Sequence, residues 1–498
     1  MSLFKQLQTR TNITPKAIAL QFEGQKLSYE DLALSASLLA KGLSEQGIKK
    51  GDVVALMLPN RLEFIQSYFA IQKLGAVVLP INLLLEASEI EYILKDSSAK
   101  ALIFAKPFYE KIASLSLTKI ILTEEAPPEG SLHFMSLFSS QQDLPPLKIQ
   151  DQEMAALLYT SGTTGKPKGV MLSHRNLLHM SSMLNKAFGL GEGLKSLLVL
   201  PLFHIFALSV MHAKIEAGMT IVLQQKFEPA KVLQTLIEEE INIFCGVPTM
   251  YAALVHALQD SVLNPPHSLQ GCFCGGAPLT LELEKSFEKA FGIKIAEGYG
   301  LTEAAGVAAF NLDYDHIKTG SIGLAVPGNQ MKVVDEKGQE LPQNQVGEII
   351  IKGDNIMMGY LNQPEATAEV LKESWYYTGD LAFQDEDGYF TIVDRKKDMI
   401  IVGGENVYPK EVEEVLYQYP GVLEAAVVGI AHETMGEVPK AYVVLAKDQK
   451  VSAEDIINFL SKRLAKFKVP RTIEFRKSLP KNATGKILKR ELKSPTSH

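Results

Sequence analysis

Helix and strand patterns alternate along the first 105 residues, and this alternation limits the possible folds more than any other feature. Ser28 and Asp31 form a capping-box pattern that predicts a helix running to about Glu45. Further on, apolar runs predict strands over 52–58, 77–81 and 101–105, with helices over 61–74 and 88–95 between them. Strands separated by helices predict a parallel sheet with helices on its faces.

The alternation resumes after a break and then changes character. Strands are predicted over 196–201, 220–223, 241–246 and 271–275, with helices over 229–240 and 249–257. Between about 320 and 395, short apolar runs broken by Gly, Asp and Pro indicate a small antiparallel region. The chain therefore predicts an α/β fold whose large N-terminal domain, residues 1–393, has several subdomains with parallel α/β sheets and a small β-rich region.

A run of charged residues, Asp394-Arg395-Lys396-Lys397-Asp398, lies between two apolar strand patterns and predicts a domain boundary. Beyond it, strands over 399–402, 423–429 and 441–446 and helices over 409–418 and 452–464 predict a small α+β C-terminal domain, residues 399–498. From residue 462 to 493 this domain carries twelve Lys or Arg against two Glu, which indicates either an anion-facing patch or a solvated basic surface.

A loop rich in glycine, hydroxyl groups and lysine follows the apolar strand pattern at Met154–Leu158. Its residues are Tyr159-Thr160-Ser161-Gly162-Thr163-Thr164-Gly165-Lys166-Pro167-Lys168-Gly169. Glycines let a backbone approach phosphate, N–H and hydroxyl groups donate, and lysine supplies charge, so the composition suits polyphosphate. The loop is not a Walker A loop, because Thr160 and Pro167 stand where that pattern needs Gly and Ser or Thr. A flexible surface linker is the alternative.

Composition and charge exclude several classes of protein. A chain of 498 residues with 46% hydrophobic and 21% charged residues is typical of an α/β protein of several domains. Its net charge of −7 argues against nucleic-acid binding. The three cysteines lack zinc spacing, the histidines form no cluster, and the N-terminus lacks a signal-peptide core, which favours a reducing cytoplasm. The most apolar window, residues 197–211, is too short for a membrane helix and predicts a strand running into a buried helix.

Six further segments join the loop in a specific order. They are Gly275-Gly276-Ala277-Pro278-Leu279, Glu297-Gly298-Tyr299-Gly300-Leu301-Thr302-Glu303, Gly320-Ser321-Ile322-Gly323, Tyr377-Thr378-Gly379-Asp380, Asp394–Asp398 and Pro480-Lys481-Asn482-Ala483-Thr484-Gly485-Lys486. Together they resemble the acyl- and aryl-adenylate-forming enzymes over residues 15–492. The sequences of Asp394–Pro409 and Pro480–Lys486 most resemble those of bacterial medium- or long-chain fatty-acid–CoA ligases. The resemblance implies three small-molecule substrates: a carboxylic acid, ATP and CoA.

The resemblance implies a catalytic role for Lys486, Thr164, Glu303 and His204. Adenylation brings two anions together, so the site needs concentrated positive charge. Lys486 then bridges the carboxylate and the α-phosphate, whereas without the resemblance it would be one solvated residue among twelve Lys or Arg. Glu303 beside phosphates requires a cation between them, which predicts a Mg²⁺ ligand, and Thr160 helps to hold that ion.

The remaining nucleotide contacts follow from the same resemblance. In the loop, Ser161, Gly162, Thr163, Thr164, Gly165 and Lys168 cradle the phosphates, with Thr163, Thr164 and Lys168 on the β- and γ-phosphates. Around adenine and the α-phosphate, the predicted contacts are Gly275, Gly276, Ala277, Gly298, Tyr299, Gly300 and Thr302. Asp380 and Arg395 are predicted to contact the ribose. From the residues alone, Tyr299 is equally well a core aromatic, and Asp380 a turn-capping residue.

Movement and CoA binding are also implied by the resemblance. Lys397 takes the hinge position, so residues 394–398 connect the N-terminal domain to a mobile C-terminal domain. This domain delivers Lys486 for adenylation, then rotates and brings Gly403 and Gly404 to the pantetheine tunnel. A strand-end turn is the plainer explanation of the two glycines.

The acyl pocket is predicted near His204 and Ala207. His204 lies on an apolar segment, where a lone histidine is usually a core residue; by resemblance it lines the pocket and gates the carboxylate. Ala207 stands where many relatives have glycine, so chain length stays open. The residues named for the pocket region are apolar or aromatic, and none is a lysine or arginine that could bind a second carboxylate: Phe203, Ile205, Phe206, Val247, Met250 and Tyr251.

The leading hypothesis is an ATP- and Mg²⁺-dependent fatty-acid–CoA ligase, with ATP, Mg²⁺ and CoA as cofactors or substrates. The alternatives are an acyl-AMP ligase that loads an acyl-carrier protein, an aryl-acid–CoA ligase, and a catalytically silent nucleotide- or acyl-binding protein. No nucleic-acid partner is expected. Peripheral membrane contact and a homodimer stay open.

Overall fold

The computed structural model describes residues 1–122, 126–138, 144–160, 167–314, 316–446, 449, 451–481 and 486–493. Two compact units make up the chain. The first comprises Met1–Ile317, Gly323–Gln330 and Lys352–Tyr376; the second comprises Lys318–Ile322, Met331–Ile351 and Tyr377–His498. In the part of the chain that the structure describes, no helix has the length and apolar character needed to cross a membrane.

The first unit contains a nine-stranded sheet, counted over the described residues. In spatial order its strands are Leu324–Ala325, Ala309–Phe310, Ile295–Tyr299, Gly271–Cys274, Ile243–Gly246, Lys195–Leu198, Thr220–Leu223, Ile18–Phe22 and Gln25–Ser28. The strands from Ile295–Tyr299 to Ile18–Phe22 run parallel, as the alternation predicts. Short antiparallel strands extend the sheet at both ends.

An eight-stranded sheet, again over the described residues, is the second layer of this unit. Its strands in order are Gly359–Tyr360, Lys168–Ser173, Met154–Thr160, Val77–Pro80, Val53–Met57, Ala101–Ala105, Thr118–Leu122 and Ser131–His133. From Met154–Thr160 onward the neighbours are parallel, whereas Lys168–Ser173 and Gly359–Tyr360 are antiparallel additions at one edge.

Helices cover these sheets and close their apolar cores. The α-helices of the first unit are Leu3–Ile13, Tyr29–Glu45, Leu62–Lys73, Ala87–Asp96, Tyr109–Ile112, His174–Phe188, Ile205–Ala217, Pro229–Glu238, Pro248–Gln259, Leu281–Phe291 and Pro364–Val370. The predicted capping box is present, since Asp31 N donates to Ser28 Oγ at 3.1 Å and Ser28 N to Asp31 Oδ2 at 3.0 Å. Short 3₁₀ turns lie at Lys106–Phe108, Phe134–Phe138 and Thr302–Ala304.

The second unit combines two antiparallel-rich sheets. One contains Gln330–Val334, Gly347–Lys352, Trp375–Gln384 and Phe390–Arg395, which lie mainly in this unit. The two-residue strand Leu371–Lys372 belongs to the first unit. The other contains Glu405–Val407, Ile400–Val402, Gly436–Leu445, Val422–His432 and Thr472–Phe475. The accompanying helices are Pro409–Tyr417, Ala453–Ser461 and Lys489–Lys493, with a 3₁₀ turn at Lys466–Lys468.

The architecture confirms the predicted α/β class, with a large N-terminal part of parallel and mixed sheets and a smaller C-terminal part. The strands predicted over 423–429 and 441–446 are longer in the structure, because they form one hairpin over Val422–His432 and Gly436–Leu445. The inner half of this hairpin contains polar and turn residues such as Glu437 and Pro439, so it has no apolar run from which a strand would be predicted. The hinge at 394–398 stays a prediction.

Candidate active site

The base of the phosphate loop is an antiparallel pair of strands. Met154–Thr160 pairs with Lys168–Ser173, and Thr160 lies directly opposite Lys168. The chain therefore leaves and re-enters the eight-stranded sheet at these two residues. The predicted contacts Ser161, Gly162, Thr163, Thr164 and Gly165 lie outside the described residues, so their roles stay predictions.

Glu303 lies in the 3₁₀ turn Thr302–Ala304, and several hydrogen bonds fix this turn. Met357 N donates to Glu303 O at 2.8 Å, and the buried Asn355 donates through Nδ2 to Ala304 O at 3.0 Å. The next residue, Ala305, has a φ of 52°. Its carbonyl accepts from Ser209 Oγ at 2.9 Å. A left-handed alanine is strained, and such strain persists where the surroundings over-determine the backbone.

Two buried tyrosines orient the Glu303 carboxylate. Tyr360 donates its hydroxyl to Glu303 Oε1 at 3.0 Å, and Tyr376 donates to the Tyr360 hydroxyl. Burial and the nearby Glu303 charge raise the pKa of both tyrosines, so both hydroxyls stay protonated donors. The Lys168 ammonium lies 4.9 Å from the centre of the Tyr360 ring. The structure thus brings Lys168 and Glu303 to one side chain.

Sequence analysis missed both tyrosines. Tyr376 directly precedes the Tyr377–Asp380 motif, and Tyr360 belongs to a two-residue strand, so neither has a charge or spacing pattern that marks it. The position of Tyr360 near the predicted phosphate loop becomes visible only in the structure, where it pairs with Val170 at the edge of the eight-stranded sheet.

The predicted adenine-binding segments lie at the ends of neighbouring parallel strands. Gly275, Gly276 and Ala277 follow Gly271–Cys274, and Tyr299 ends the adjacent strand. A Cβ atom at Gly275 would lie 3.7 Å from the Phe206 ring. The carboxyl ends of parallel strands are where open α/β sheets bind ligands.

Packing accounts for the glycines on either side of Tyr299. A Cβ atom at Gly298 would lie 2.2 Å from the Phe310 ring, and one at Gly300 would lie 1.5 Å from Gly306 O. The contacts of Gly298, Tyr299, Gly300 and Thr302 with nucleotide stay predictions.

His204 has a structural position as the N-cap of helix Ile205–Ala217. Its Nδ1 accepts from Phe206 N at 3.3 Å, which satisfies a backbone donor at the start of the helix. The strand and buried helix predicted from the apolar window are confirmed as Lys195–Leu198 and Ile205–Ala217. The proposed gating role of His204 stays a prediction.

A small cavity of about 30 Å³ lies beside this helix. It is lined by Leu184, Phe188, Leu190, Phe206, Ser209, Val210, Ala213, Lys214, Cys245, Phe273, Val307 and Phe310. Of the pocket-region residues predicted from sequence, Phe206 lines this cavity, whereas Tyr251 is buried and donates to Phe273 O at 2.9 Å. Lys214 also contributes to the wall of this cavity, although it is not among the six pocket-region residues named from the sequence. The sequence feature that could have indicated Lys214 is its position just beyond the apolar window, three residues after Met211.

The second unit holds the other predicted site residues. Asp380 and Arg395 face each other on adjacent strands, with Arg395 Nε 3.1 Å from Asp380 Oδ1. Asp380 is only 6% exposed. The Asp380 carboxylate is therefore held in place by Arg395, which is also predicted to contact the ribose.

Lys486 lies beside a backbone contact between two described segments of the chain. Lys481 pairs with Ile487, and Leu488 N donates to Pro480 O at 2.8 Å. Residues 482–485 of the motif lie outside the described part of the chain. Burial lowers the pKa of Lys486 to about 8, with Arg395 and Lys397 adding to the effect and Asp380 and Asp398 opposing it. Lys486, Asp380, Arg395 and Lys397 thus form one electrostatic cluster in the second unit.

Gly403 and Gly404 lie at a different turn, between strands Ile400–Val402 and Glu405–Val407. Their φ values are 60° and 93°. A two-residue hairpin turn needs positive φ at both central positions, so this turn alone accounts for both glycines. A contact with CoA stays a prediction.

Two family matches together cover most of the chain. Residues 7–361 match the AMP-binding enzyme family, and residues 411–486 match the AMP-binding enzyme C-terminal domain. The chain belongs to the AMP-binding enzyme family. The seven ordered motifs had predicted this membership, and the match confirms it.

Relatives of this AMP-binding enzyme act on different acids. The chain is 37% identical to a long-chain-fatty-acid–CoA ligase of Bacillus subtilis (strain 168), with 96% of this chain and 91% of the relative covered. It is 38% identical to a feruloyl-CoA synthase of Amycolatopsis sp, with 97% of each covered. The ATP-bound crystal structure of MatB from Rhodopseudomonas palustris has a TM-score of 0.92 at 31% identity, covering 99% of this chain and 98% of that one.

These matches show an AMP-forming acid–CoA ligase, an enzyme that uses ATP, Mg²⁺ and CoA. The first unit fits a magnesium ion that substrate phosphates complete, since Mg²⁺ prefers one or two carboxylates plus phosphate and water oxygens. Among the described residues, no group of three His, Cys, Asp or Glu could form an all-protein cage. Glu303, which accepts a hydrogen bond from Tyr360 beside Lys168, could supply the single carboxylate that such a site needs.

Replacing Tyr360 with phenylalanine tests this arrangement. Tyr360→Phe removes the hydrogen bond to Glu303, and a bond to a charged group contributes about 1.5–3 kcal/mol. We expect the Mg²⁺ concentration for half-maximal adenylation to rise roughly ten- to hundredfold. Tyr29→Phe is the matched control, because it removes a buried hydroxyl that donates to Met219 O at 2.8 Å. An unchanged Mg²⁺ requirement in Tyr360→Phe would show that the hydroxyl does not orient the metal ligand.

Proposed function

We propose that this AMP-binding enzyme activates a medium- to long-chain fatty acid to acyl-AMP and transfers the acyl group to CoA. The observation that supports this choice of acid is the cavity beside helix Ile205–Ala217, whose wall is mostly aliphatic and aromatic. The Phe206 ring lines this cavity and also lies next to Gly275, so the cavity adjoins the predicted nucleotide site. An apolar tail placed there would leave water, at about 0.8 kcal/mol for each buried methylene.

The first step forms an acid anhydride. A carboxylate oxygen attacks the α-phosphorus of ATP, the bond to the pyrophosphate oxygen breaks, and pyrophosphate leaves. Bound Mg²⁺ neutralises phosphate charge. In the first unit, Thr160, Thr163, Thr164 and Lys168 bind the β- and γ-phosphates, and Glu303 with Thr160 holds the metal.

Other residues take the remaining roles in the first step. Tyr299 and the Gly275–Ala277 segment bind adenine, and Thr302 donates to the α-phosphate. Asp380 and Arg395 bind the ribose, and Lys486 stabilises the charge that develops between carboxylate and α-phosphate.

The second step exchanges AMP for a thiol. The CoA thiolate attacks the acyl carbon, the bond to the AMP oxygen breaks, and AMP leaves. We assign residues 394–398 as the hinge between the domains 1–393 and 399–498, with Lys397 at its centre. Gly403 and Gly404 then contact the pantetheine arm. A cytoplasmic location and a homodimer stay predictions.

An aromatic acid is a second candidate substrate. Four phenylalanines line the cavity: Phe188, Phe206, Phe273 and Phe310. Three of them pack against one another, with the Phe188 ring centre 4.5 Å from that of Phe273 and 4.7 Å from that of Phe310. Rings prefer such offset and edge-to-face contacts, so an aromatic acyl group would find suitable partners here. The 38%-identical feruloyl-CoA synthase supports the same candidate.

A panel of acids measured with and without CoA tests the proposed function. Pyrophosphate release is measured with straight-chain acids from butyrate to eicosanoate and with benzoate and cinnamate. We expect the highest kcat/KM for a medium or long straight-chain acid, and thioester only when CoA is present. A higher kcat/KM for cinnamate would reject the fatty-acid assignment in favour of the aromatic one.

Removing the Lys486 ammonium separates the two half-reactions. A charge about 4 Å from an anion contributes roughly 4 kcal/mol at an effective dielectric constant near 20, or about a thousandfold in rate. Lys486→Ala should therefore lose adenylation by about that factor and retain thioester formation from supplied acyl-AMP. Lys481→Ala is the control. It removes a lysine of the same motif as Lys486 that forms an ion pair with Glu424, and it should leave both steps unchanged. An equal loss of both steps in Lys486→Ala would refute its assignment to adenylation.

The pH profile of adenylation provides an independent test of this lysine. Its pKa of about 8 means that the free enzyme loses the ammonium charge as pH rises through that value. Because kcat/KM reports groups of the free enzyme, kcat/KM for adenylation should fall above about pH 8. Lys486→Arg keeps its charge, so its residual activity should not show this fall. The same fall in both enzymes would exclude Lys486 as the group responsible.

A further inference from the structure

Lys214 is a buried lysine in the wall of the apolar cavity. It lies near the end of helix Ile205–Ala217 and is 2% exposed. Among the described residues that line the cavity, it is the one with a charged side chain. Lysine is almost never fully buried unless it is paired, so its position calls for a physical explanation.

The described residues around Lys214 provide no counter-charge. No ion pair or hydrogen bond joins its Nζ to another residue in the described part of the chain. Its neighbours are the Phe273 ring, whose centre lies 5.9 Å from Nζ, and the Cys245 thiol. Desolvation lowers the pKa of Lys214 and raises the pKa of Cys245. The lysine therefore destabilises the fold at this point, because burial removes its polar group from water without supplying a partner.

The wall of the cavity contains both this lysine and a residue that borders the predicted adenine-binding segment. Phe206, near the start of the helix, lines the cavity and borders Gly275. Val307, which also lines it, lies four residues after Glu303. Lys214 is eight residues beyond Phe206, or about 12 Å further along the helix axis. An acyl group with its carboxylate near Gly275 would thus direct its far end towards Lys214.

We propose that Lys214 determines substrate specificity by binding an oxygen atom at the far end of the acyl group. The oxygen is a carboxylate or a phenolic hydroxyl, since either accepts a hydrogen bond from an ammonium group. This inference rests on the proposed function and narrows it. Among acids that fit the cavity, those with a distal oxygen are activated in preference to their unsubstituted counterparts.

The chemistry of the pairing explains this preference. An ammonium group without a partner favours an incoming acceptor, because the partner recovers the hydrogen bonding lost on burial. A plain methyl end leaves the lysine unpaired beside hydrocarbon. A site built to bind a substrate oxygen discriminates more strongly against an analogue that lacks it than an apolar pocket discriminates between chain lengths.

Two pairs of acids and three enzymes test the proposal. The pairs are decanoate with decanedioate, and cinnamate with para-hydroxycinnamate; kcat/KM is measured from pyrophosphate release. In the unaltered enzyme we expect the oxygenated member of at least one pair to be favoured at least about tenfold. Lys214→Met keeps the length of the side chain without its charge, and it should abolish or reverse that preference while decanoate or cinnamate is activated at least as well as before.

A second variant shows which oxygen is bound. Lys214→Gln retains a hydrogen-bond donor without charge, so it should keep a preference for the phenol and lose a preference for the dicarboxylate. Lys226→Met, at an exposed lysine paired with Glu228, is the matched control and should leave every ratio unchanged.

The outcomes separate this proposal from the proposed function. If the unaltered enzyme favours the unsubstituted acids, or if Lys214→Met keeps the same ratios, the ligase function stands and the role of Lys214 is rejected. If Lys214→Met fails to fold, the ratios of the unaltered enzyme and Lys214→Gln decide. If no acid releases pyrophosphate, both proposals fail.

Discussion

The hydrogen bond from Tyr360 to Glu303 connects the two large sheets of this enzyme at its predicted metal site. Tyr360 belongs to the edge of the eight-stranded sheet, next to the strand that leaves the phosphate loop. Glu303 follows a strand of the nine-stranded sheet. At 3.0 Å, the bond fixes a carboxylate against a chain segment that lies beside phosphate-binding residues. Its partner is a charged group, which makes it stronger than an ordinary neutral hydrogen bond.

The surroundings of Glu303 keep this bond in place. Asn355, Met357 and Ser209 hold the backbone of the turn, including the left-handed Ala305. Tyr376 donates to Tyr360 from the other side and is itself buried. The Glu303 carboxylate, a predicted metal ligand, thus owes its orientation to residues that make no predicted contact with ATP. Supporting shells of this kind are common where a metal ligand must be held precisely enough for chemistry.

Much of this structure follows from the sequence, for physical reasons that particular elements show. The parallel strands of both sheets are buried on both faces, so their apolar runs are unambiguous, and the helix beginning at Tyr29 has a capping box. The two-residue strand at Gly359–Tyr360 is too short to have a pattern, and its pairing with Val170 joins residues far apart in the chain. Tyr360 and Tyr376 were missed because their function arises only from this pairing. Lys214 was missed because its burial depends on helix packing, which no local pattern encodes.

The lysines of this enzyme differ in their surroundings and in their proposed roles. Lys168 and Lys486 belong to the motifs that predict phosphate chemistry, whereas Lys214 lies in a small cavity of phenylalanine and aliphatic side chains. The first two are predicted to bind groups of ATP, which is the same whichever acid is activated. Lys214 is proposed to bind the acid, which differs from one relative to another. The motifs therefore predict adenylation and leave the identity of the acid open.

The central claim is that the acid is activated as an acyl-adenylate before CoA attacks. The most direct test uses an acid whose carboxylate oxygens carry a heavy isotope, with mass spectrometry of the products. Attack of the carboxylate on the α-phosphorus predicts that one heavy oxygen appears in AMP and none in pyrophosphate. Unlabelled AMP formed together with acyl-CoA would contradict the account, because the carboxylate oxygen would then never have bonded to the α-phosphorus.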